Sequence, residues 1–153
     1  METRATTDLR LHHLEHEVIS HERVGSLEEA ARLRGLAPSA LIKTMVVRRG
    51  EGSYLFVLVP GDRVIDWPKL RGLLGERRLS MPDSREALSV TGYERGTITP
   101  FGASGNWPVV ADRRIAEGTV SIGGGAPGVS IRAEGSALVS VLGATVADVT
   151  KPG

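Results

Sequence analysis

Two strand-like apolar segments, residues 41–47 and 54–60, constrain the fold more than any other feature of this sequence. They are separated by a turn that contains Gly50 and Gly52. Two such segments joined by a glycine-containing turn predict an antiparallel hairpin. The second segment is apolar on both faces, which is typical of a central strand that is covered from both sides.

The first segment carries one charged residue, Lys43. Side chains alternate between the faces of a strand, so Lys43 shares a face with Met45 and Val47, while Thr44 lies on the other. An unpaired buried ammonium is costly, so Lys43 must reach a partner or line a polar cavity. The alternative is an edge strand from which the lysine extends into water. Because the neighbouring strand is fully apolar, we disfavour the edge position and expect Lys43 to bind an anion.

The composition describes an ordinary globular chain. Its 153 residues fit a single domain, 1–153, with 41% hydrophobic and 24% charged residues. No apolar run approaches the roughly 20 residues that a membrane helix needs, and the N-terminus lacks a signal-peptide core. The absence of cysteine excludes disulfides and a cysteine nucleophile. We expect a cytoplasmic protein that does not bind membranes.

The net charge of +1 excludes the strongly basic mode of nucleic-acid binding. It is compatible with a local basic pocket that binds one end of a nucleic acid. His12 and His16 have a spacing that suits a metal on a helix, but no third ligand fits a known pattern. We therefore expect no metal.

Capping residues predict the helices. Ser26 and Glu29 form a capping box, and Gly35 ends the helix that they begin. Three further helices are predicted to begin at Asp66, Asp83 and Ser136. A short helix near residues 9–14 and strands at 17–21, 106–112, 119–122, 129–131 and 145–149 complete the prediction of an α+β fold.

Two glycine-rich segments interrupt these elements. The loop 91–102 holds three glycines and a proline, and glycine allows the backbone to approach a ligand closely. A purely structural loop is the alternative. Residues 123–128 are not a P-loop, because no Lys-Ser/Thr follows, and no helix follows to make a dinucleotide site. Asp112 ends a strand and is expected to cap the turn after it.

The order of these elements resembles the YbaK/EbsC family, freestanding relatives of the editing domain inserted in bacterial prolyl-tRNA synthetases. The resemblance covers about residues 17–149. Its carriers are residues 28–31, Ile42-Lys43-Thr44, Thr91-Gly92-Tyr93 with Gly96, Thr99-Pro100-Phe101-Gly102, Val110-Ala111-Asp112, Gly123-Gly124 and Leu142-Gly143-Ala144.

The resemblance implies a mixed, strongly curved sheet flanked by helices, with a pocket for the aminoacylated 3′ end of tRNA. It implies hydrolysis of the ester of a mischarged tRNA without a cofactor, with Lys43 and Gly96 as the catalytic residues. The substrate-binding residues that we carry over or infer are Thr44, Thr99, Gly102, Asp112, Gly123, Gly124 and Ser130. An aminoacyl-tRNA synthetase is a further partner to consider, and the oligomeric state is not predicted.

The chemistry explains why no nucleophile stands out. An aminoacyl ester on ribose is already activated, so attack by a ribose hydroxyl or a held water needs positioning and electrostatics above all. A Ser-His-Asp triad is not expected, because all four histidines precede residue 22 and no Gly-x-Ser-x-Gly segment is present.

Three positions depart from the better-known branches of the family. Cysteine-specific deacylases carry an aspartate where this chain has Ser130, and commonly a serine where it has Gly123. The alanine-specific branch carries an asparagine at Thr44. These differences disfavour cysteine and leave Ala, Ser, Thr or another small amino acid open, with tRNA(Pro) as one carrier. The alternatives are a non-catalytic module that binds tRNA ends, nucleotides or a protein, and a hydrolase of another ester.

Overall fold

The computed structural model describes residues 2–21 and 26–153. Its strands are β1 His16–Ser20, β2 Ile42–Gly50, β3 Ser53–Pro60, β4 Arg63–Ile65, β5 Val109–Asp112, β6 Thr119–Gly123, β7 Val129–Glu134, β8 Thr145–Ala147 and β9 Thr150–Pro152. Its α-helices are α1 Leu27–Arg34, α2 Trp67–Leu74, α3 Ser84–Thr91 and α4 Gly135–Val141. Short 3-10 helices span Leu9–His13, Pro38–Ala40 and Arg113–Ala116. Within the described residues, no helix combines the length and the apolar character needed to cross a membrane.

The strands form three sheets. A four-stranded sheet has the order β2-β3-β5-β8, in which β2 and β3 are antiparallel and the other pairs are parallel. A second, antiparallel sheet has the order β1-β7-β6, and β4 pairs with β9. A single bridge between Leu41 and Ser121 links the two larger sheets. The mixed α+β class is confirmed, although the strands are divided among three sheets rather than joined in one.

The predicted hairpin is present as β2 and β3, and β3 is the buried central strand that its composition predicts. The expectation that β2 lies inside the sheet is wrong, since β2 occupies an edge. The apolar character of β3 fixes only the surroundings of β3 itself. The strand that covers its other side is β5, and β2 needs no further neighbour to bury β3.

Two apolar layers enclose the four-stranded sheet. On one side, Phe56 and Leu58 pack with Ile131 and Leu138 of the second sheet and α4. On the other side, Leu55, Val57 and Val59 pack with Ile65 and with Leu70 of α2. The predicted alternation along β2 is confirmed, because Ile42 and Val46 join the first layer while Met45 and Val47 join the second.

Three of the predicted helix starts are confirmed by their caps. The side chains of Ser26, Asp66 and Asp83 accept hydrogen bonds from the backbone N–H three residues later, at 3.1, 3.2 and 2.8 Å. The helix that follows Asp83 is longer than the sequence pattern indicates and ends at Thr91. The buried Thr91 hydroxyl donates to the Ala87 carbonyl at 2.7 Å, inside the helix.

The predicted cap at Ser136 is wrong. Helix α4 begins at Gly135 directly after β7, and Ser136 lies inside its first turn without a capping bond. Gly135 must be small because a Cβ there would lie 1.7 Å from the carbonyl oxygen of Ile115, and its N–H donates to Gly118 at 2.8 Å. This close approach, rather than a serine cap, sets the helix start. Strand β9 was not predicted from the sequence.

Candidate active site at the open edge of strand β2

Among residues 2–21 and 26–153, the pairing of the outer edge of β2 is confined to its two ends. The N–H and carbonyl of Arg48 exchange hydrogen bonds with Ser80 at 2.7 and 3.1 Å, so they point away from β3. Backbone direction alternates along an antiparallel strand, so the N–H and carbonyl groups of Thr44 and Val46 also point outward. The opposite end is closed by the Leu41–Ser121 bridge. Between the two bridges therefore lie backbone donors and acceptors that have no partner in the described part of the chain.

A cavity of about 750 Å³ follows this open edge, and we call it the main cavity. Its volume lies within the range of small-molecule sites. Beside residues 42–46 of β2, its lining comes from the start of α3, the 92–102 loop and the end of β6. These other lining residues are Met81, Pro82, Asp83, Ser84, Ala87, Arg95, Gly96, Ile98 and Gly123.

Four predicted site residues meet at the main cavity, although they are distant in sequence. Lys43 and Thr44 come from β2, Gly96 from the 92–102 loop, and Gly123 from the end of β6. Both predicted catalytic residues are in this group. Because the cavity runs along a strand edge, it receives residues from both faces of β2.

The Lys43 ammonium is half-buried and donates to the backbone carbonyl of Arg63 at 2.5 Å. Burial lowers the pKa of Lys43, and the negative charge of Asp62 opposes that effect. An ammonium carries three N–H donors, so the Arg63 carbonyl leaves two for a ligand. Lys43 is thus the charged residue that β2 contributes to the lining of the main cavity.

The Thr44 hydroxyl is a second polar group at this site. Its oxygen is buried and has no hydrogen-bond partner in the part of the chain that the structure describes. Leaving a buried polar group unpaired costs about 1–3 kcal/mol. A polar ligand in the main cavity would relieve this cost.

Gly96 brings backbone rather than a side chain to the cavity. Its φ of 94° favours glycine, and a Cβ built there would meet no atom within 4 Å. Its N–H makes no hydrogen bond to residues 2–21 or 26–153. The peptide N–H is therefore available to a ligand.

The other predicted residues lie outside the lining of the main cavity. Thr99 and Ser130 are fully buried, and neither hydroxyl has a partner among the described residues. Ser130 is paired with the cavity residue Gly123 across β6 and β7. Gly124 donates its N–H to Val129 at 2.8 Å. The roles of these residues in substrate binding stay predictions.

Comparison with known proteins identifies the family. The profile of the aminoacyl-tRNA editing domain matches residues 21–141. The chain belongs to the aminoacyl-tRNA editing domain family. This match confirms the resemblance found in the sequence. The EbsC protein of Enterococcus faecalis, a proposed Cys-tRNA(Pro)/Cys-tRNA(Cys) deacylase, is 24% identical over 82% of this chain and 77% of the EbsC chain.

Other members of the editing domain family are parts of larger proteins. The proline–tRNA ligase of Thermosipho melanesiensis is 33% identical over 66% of this chain, and the matched region is 18% of the ligase. A crystal structure of a candidate trans-editing enzyme for prolyl-tRNA synthetase superposes with a TM-score of 0.83 and 25% identity, covering 99% of each chain. The matched region thus spans less than a fifth of the curated ligase.

The sequence did not predict the wall of the main cavity that α3 and the residues just before it form. Met81, Pro82 and Ala87 belong to this wall. Asp83 was identified as a helix cap, but a capping residue predicts only where a helix starts and not the strand edge against which the helix packs. Arg95 was detectable, because it is a cation directly beside the predicted ligand residue Gly96.

Within the described residues, no group of three or more His, Asp or Glu side chains is placed to hold a metal ion.

Asp112 occupies a buried position apart from the main cavity. Its carboxylate accepts from the Arg114 N–H and side chain, both at 3.1 Å, from the Val149 N–H at 3.2 Å and from the Thr150 hydroxyl at 2.8 Å. Burial disfavours its ionised form, but these hydrogen bonds outweigh burial and lower the pKa of Asp112. The predicted cap on the turn after β5 is confirmed.

Asp8 anchors Gly102, the last residue of the 92–102 loop. The Gly102 N–H donates to the Asp8 carboxylate at 2.8 Å, and Arg10 pairs with it at 2.8 Å. Burial raises the pKa of Asp8, but the bonds from Arg10 and from the Gly102 and Arg10 N–H groups prevail and lower it to about 2. The N-terminal segment thereby holds the loop that carries Gly96.

We expect Asp8→Asn to lower the free energy of unfolding at pH 7 by about 1–2 kcal/mol. The folded-state pKa lies below the unfolded value of 3.8, so the stabilisation is present above pH 3.8 and is lost as pH falls through about 2. Urea titrations between pH 7 and pH 2 should show the two proteins converging in acid. The control is Glu15→Gln at an exposed carboxylate. A difference that is independent of pH would contradict this account.

Proposed function

We propose that this protein is a trans-editing deacylase, which hydrolyses the ester between a small amino acid and the terminal ribose of a mischarged tRNA. One observation carries the proposal: Lys43, Thr44 and Gly96 converge on one cavity beside an open strand edge. Family membership supports the same reaction class. The protein would act in the cytoplasm on products of an aminoacyl-tRNA synthetase.

The open edge of β2 suits the terminal adenosine. The carbonyl of Thr44 and the N–H of Val46 are consecutive outward-pointing groups, an acceptor beside a donor. The Watson–Crick edge of adenine has a matching donor and acceptor, and single-stranded RNA bases are often recognised on that edge. The apolar side chains of Met81 and Ile98 would pack against the base. Bridges at both ends of the edge favour such a compact ligand over an extended peptide.

In the proposed reaction the oxygen of a held water, or of a free ribose hydroxyl, attacks the ester carbonyl carbon. The carbonyl oxygen gains negative charge, which the Gly96 N–H and the Lys43 ammonium stabilise. The bond from carbon to the ribose oxygen then breaks, and that oxygen takes up the proton that the attacking water or hydroxyl has lost. With water as the attacking group, the products are the free amino acid and uncharged tRNA.

The amino acid is proposed to be small, with tRNA(Pro) as one carrier because of the similarity to proline–tRNA ligases. The unpaired Thr44 hydroxyl favours a substrate that brings a polar group to this position. A hydrogen bond to a substrate hydroxyl discriminates far more strongly than a difference of one methylene. Ala, Ser and Thr are the amino acids to compare.

The test is to incubate the protein with tRNA(Pro) charged with Ala, Ser, Thr, Cys or Pro and to measure the remaining ester. We expect loss of at least one small amino acid well above the rate in buffer, while Pro-tRNA(Pro) persists. Binding of the tRNA end without loss of any ester would instead favour a non-catalytic binding module. Equal loss of all five esters would contradict an editing role.

A further inference from the structure

A second cavity of about 270 Å³ lies beside the main cavity, and we call it the side cavity. It is enclosed by α1, the 94–97 segment and the turn at 127–128. Arg95 and Gly96 line both cavities, so the two spaces meet at this point of the loop. A ligand in the main cavity therefore lies beside the side cavity at Gly96.

Arg34, the last residue of α1, gives the side cavity its positive charge. It is half-buried, and its guanidinium has one long hydrogen bond, to the Ser121 hydroxyl at 3.5 Å. No carboxylate of residues 2–21 or 26–153 pairs with it within 4 Å. Burial without such a partner lowers the pKa of Arg34. The cost of this arrangement falls if an anion enters.

Three further residues of the side cavity determine its polarity, namely Arg95, Glu94 and His21. Arg95 is exposed at the junction with the main cavity, and Glu94 is the acidic residue of the lining. The buried Nε2 of His21 has no hydrogen-bond partner in the described part of the chain, while the backbone N–H of His21 donates to Gly128 at 2.7 Å. The two arginines, Arg34 and Arg95, together outweigh the single carboxylate of Glu94.

We propose that the side cavity is a phosphate subsite, in which Arg34 and Arg95 bind the phosphodiester on the 5′ side of the terminal adenosine. The proposal rests on the deacylase function and extends it, because it assigns a binding site to a part of the substrate outside the ester. An arginine fork matches the oxygens of a phosphate and binds them by paired hydrogen bonds. The loop residues shared by the two cavities would put this phosphate next to the base proposed to bind at β2.

A purely structural role for Arg34 makes a different prediction. In that case Arg34 only connects α1 to β6 through Ser121, and its loss would affect substrates with and without a phosphate alike. The two roles are separated by comparing a mischarged tRNA with the 3′-aminoacyl ester of adenosine, which has no phosphate.

The test is Arg34→Gln with Arg32→Gln as its matched control, since Arg32 lies on the same helix, is exposed and does not line either cavity. We expect Arg34→Gln to lower kcat/KM for the tRNA about 10-fold or more, chiefly through KM, and to leave cleavage of the adenosine ester unchanged. The plot of log kcat/KM against log salt concentration should become less steep, by about the amount that one lost phosphate contact predicts. Equal losses on both substrates, or none on the tRNA, would overturn the proposal.

A binding measurement separates this proposal from the deacylase function. If the unaltered protein cleaves neither ester, the affinities for the trinucleotide CCA and for adenosine are compared instead. The subsite predicts tighter binding of CCA, and a loss of that advantage in Arg34→Gln but not in Arg32→Gln. No advantage of CCA over adenosine would reject the subsite. Melting curves check folding, and Arg34→Lys, which keeps the charge without the fork, should bind CCA with intermediate affinity.

Discussion

Replacing Lys43 with alanine should lower kcat/KM for a mischarged tRNA by about 10²–10³-fold. Removal of one group that stabilises a developing oxyanion has an effect of this size in other enzymes. Lys43 lines the main cavity, and no other lysine of the described residues does. Within residues 2–21 and 26–153 its ammonium has one hydrogen bond, to the Arg63 carbonyl. Single-turnover deacylation at saturating protein measures the loss directly.

The matched control is Lys69→Ala. Lys69 also donates to a backbone carbonyl, that of Thr150 at 3.2 Å, and it pairs with Asp148 at the surface. We expect this variant to retain full activity. If Lys43→Ala lowers the melting temperature but keeps its kcat/KM, then the lysine only ties β2 to Arg63, and the catalytic assignment fails.

The local elements of this fold were predictable because short-range chemistry determines them. The glycines at 50 and 52 give the hairpin its turn, and Ser26 and Asp66 cap their helices with their own side chains. The alternation of β2 was also correct, since a strand has a fixed period. Each of these features depends on neighbours in sequence.

The features that failed depend on partners far along the chain. The edge position of β2 is decided by where β5 and Ser80 lie, and neither is visible in the apolar pattern of the hairpin. The start of α4 is decided by a backbone contact with Ile115. For the same reason, the wall of the main cavity formed by α3 had no signature in the sequence.

Part of the lining of the main cavity was predictable for another reason. Lys43, Thr44, Gly96 and Gly123 were found from family motifs, and the fold brings them together. Asp112 carries an equally clear motif, but both a cap and a substrate contact fit a carboxylate at the end of a strand. Only the three-dimensional structure gives its hydrogen-bond partners, which come from Arg114 and from two residues near the C-terminus, Val149 and Thr150.

Asp112→Ala should therefore lower the free energy of unfolding by about 2–4 kcal/mol, because each buried polar group left without a partner costs about 1–3 kcal/mol. The side chain is fully buried, and its loss leaves the Thr150 hydroxyl and the Val149 N–H without an acceptor. Urea and thermal unfolding measure the change, with a decrease in Tm on the order of 10 °C.

The control for Asp112 is Asp148→Ala, which removes the more exposed carboxylate that pairs with Arg114 at 3.2 Å. A surface pair of this kind contributes about 0–1 kcal/mol, so the two substitutions should differ severalfold in effect. Below its melting temperature, folded Asp112→Ala should deacylate tRNA at a rate close to that of the unaltered protein, because Asp112 does not line the main cavity. A large loss of kcat/KM with unchanged stability would assign Asp112 to substrate binding instead.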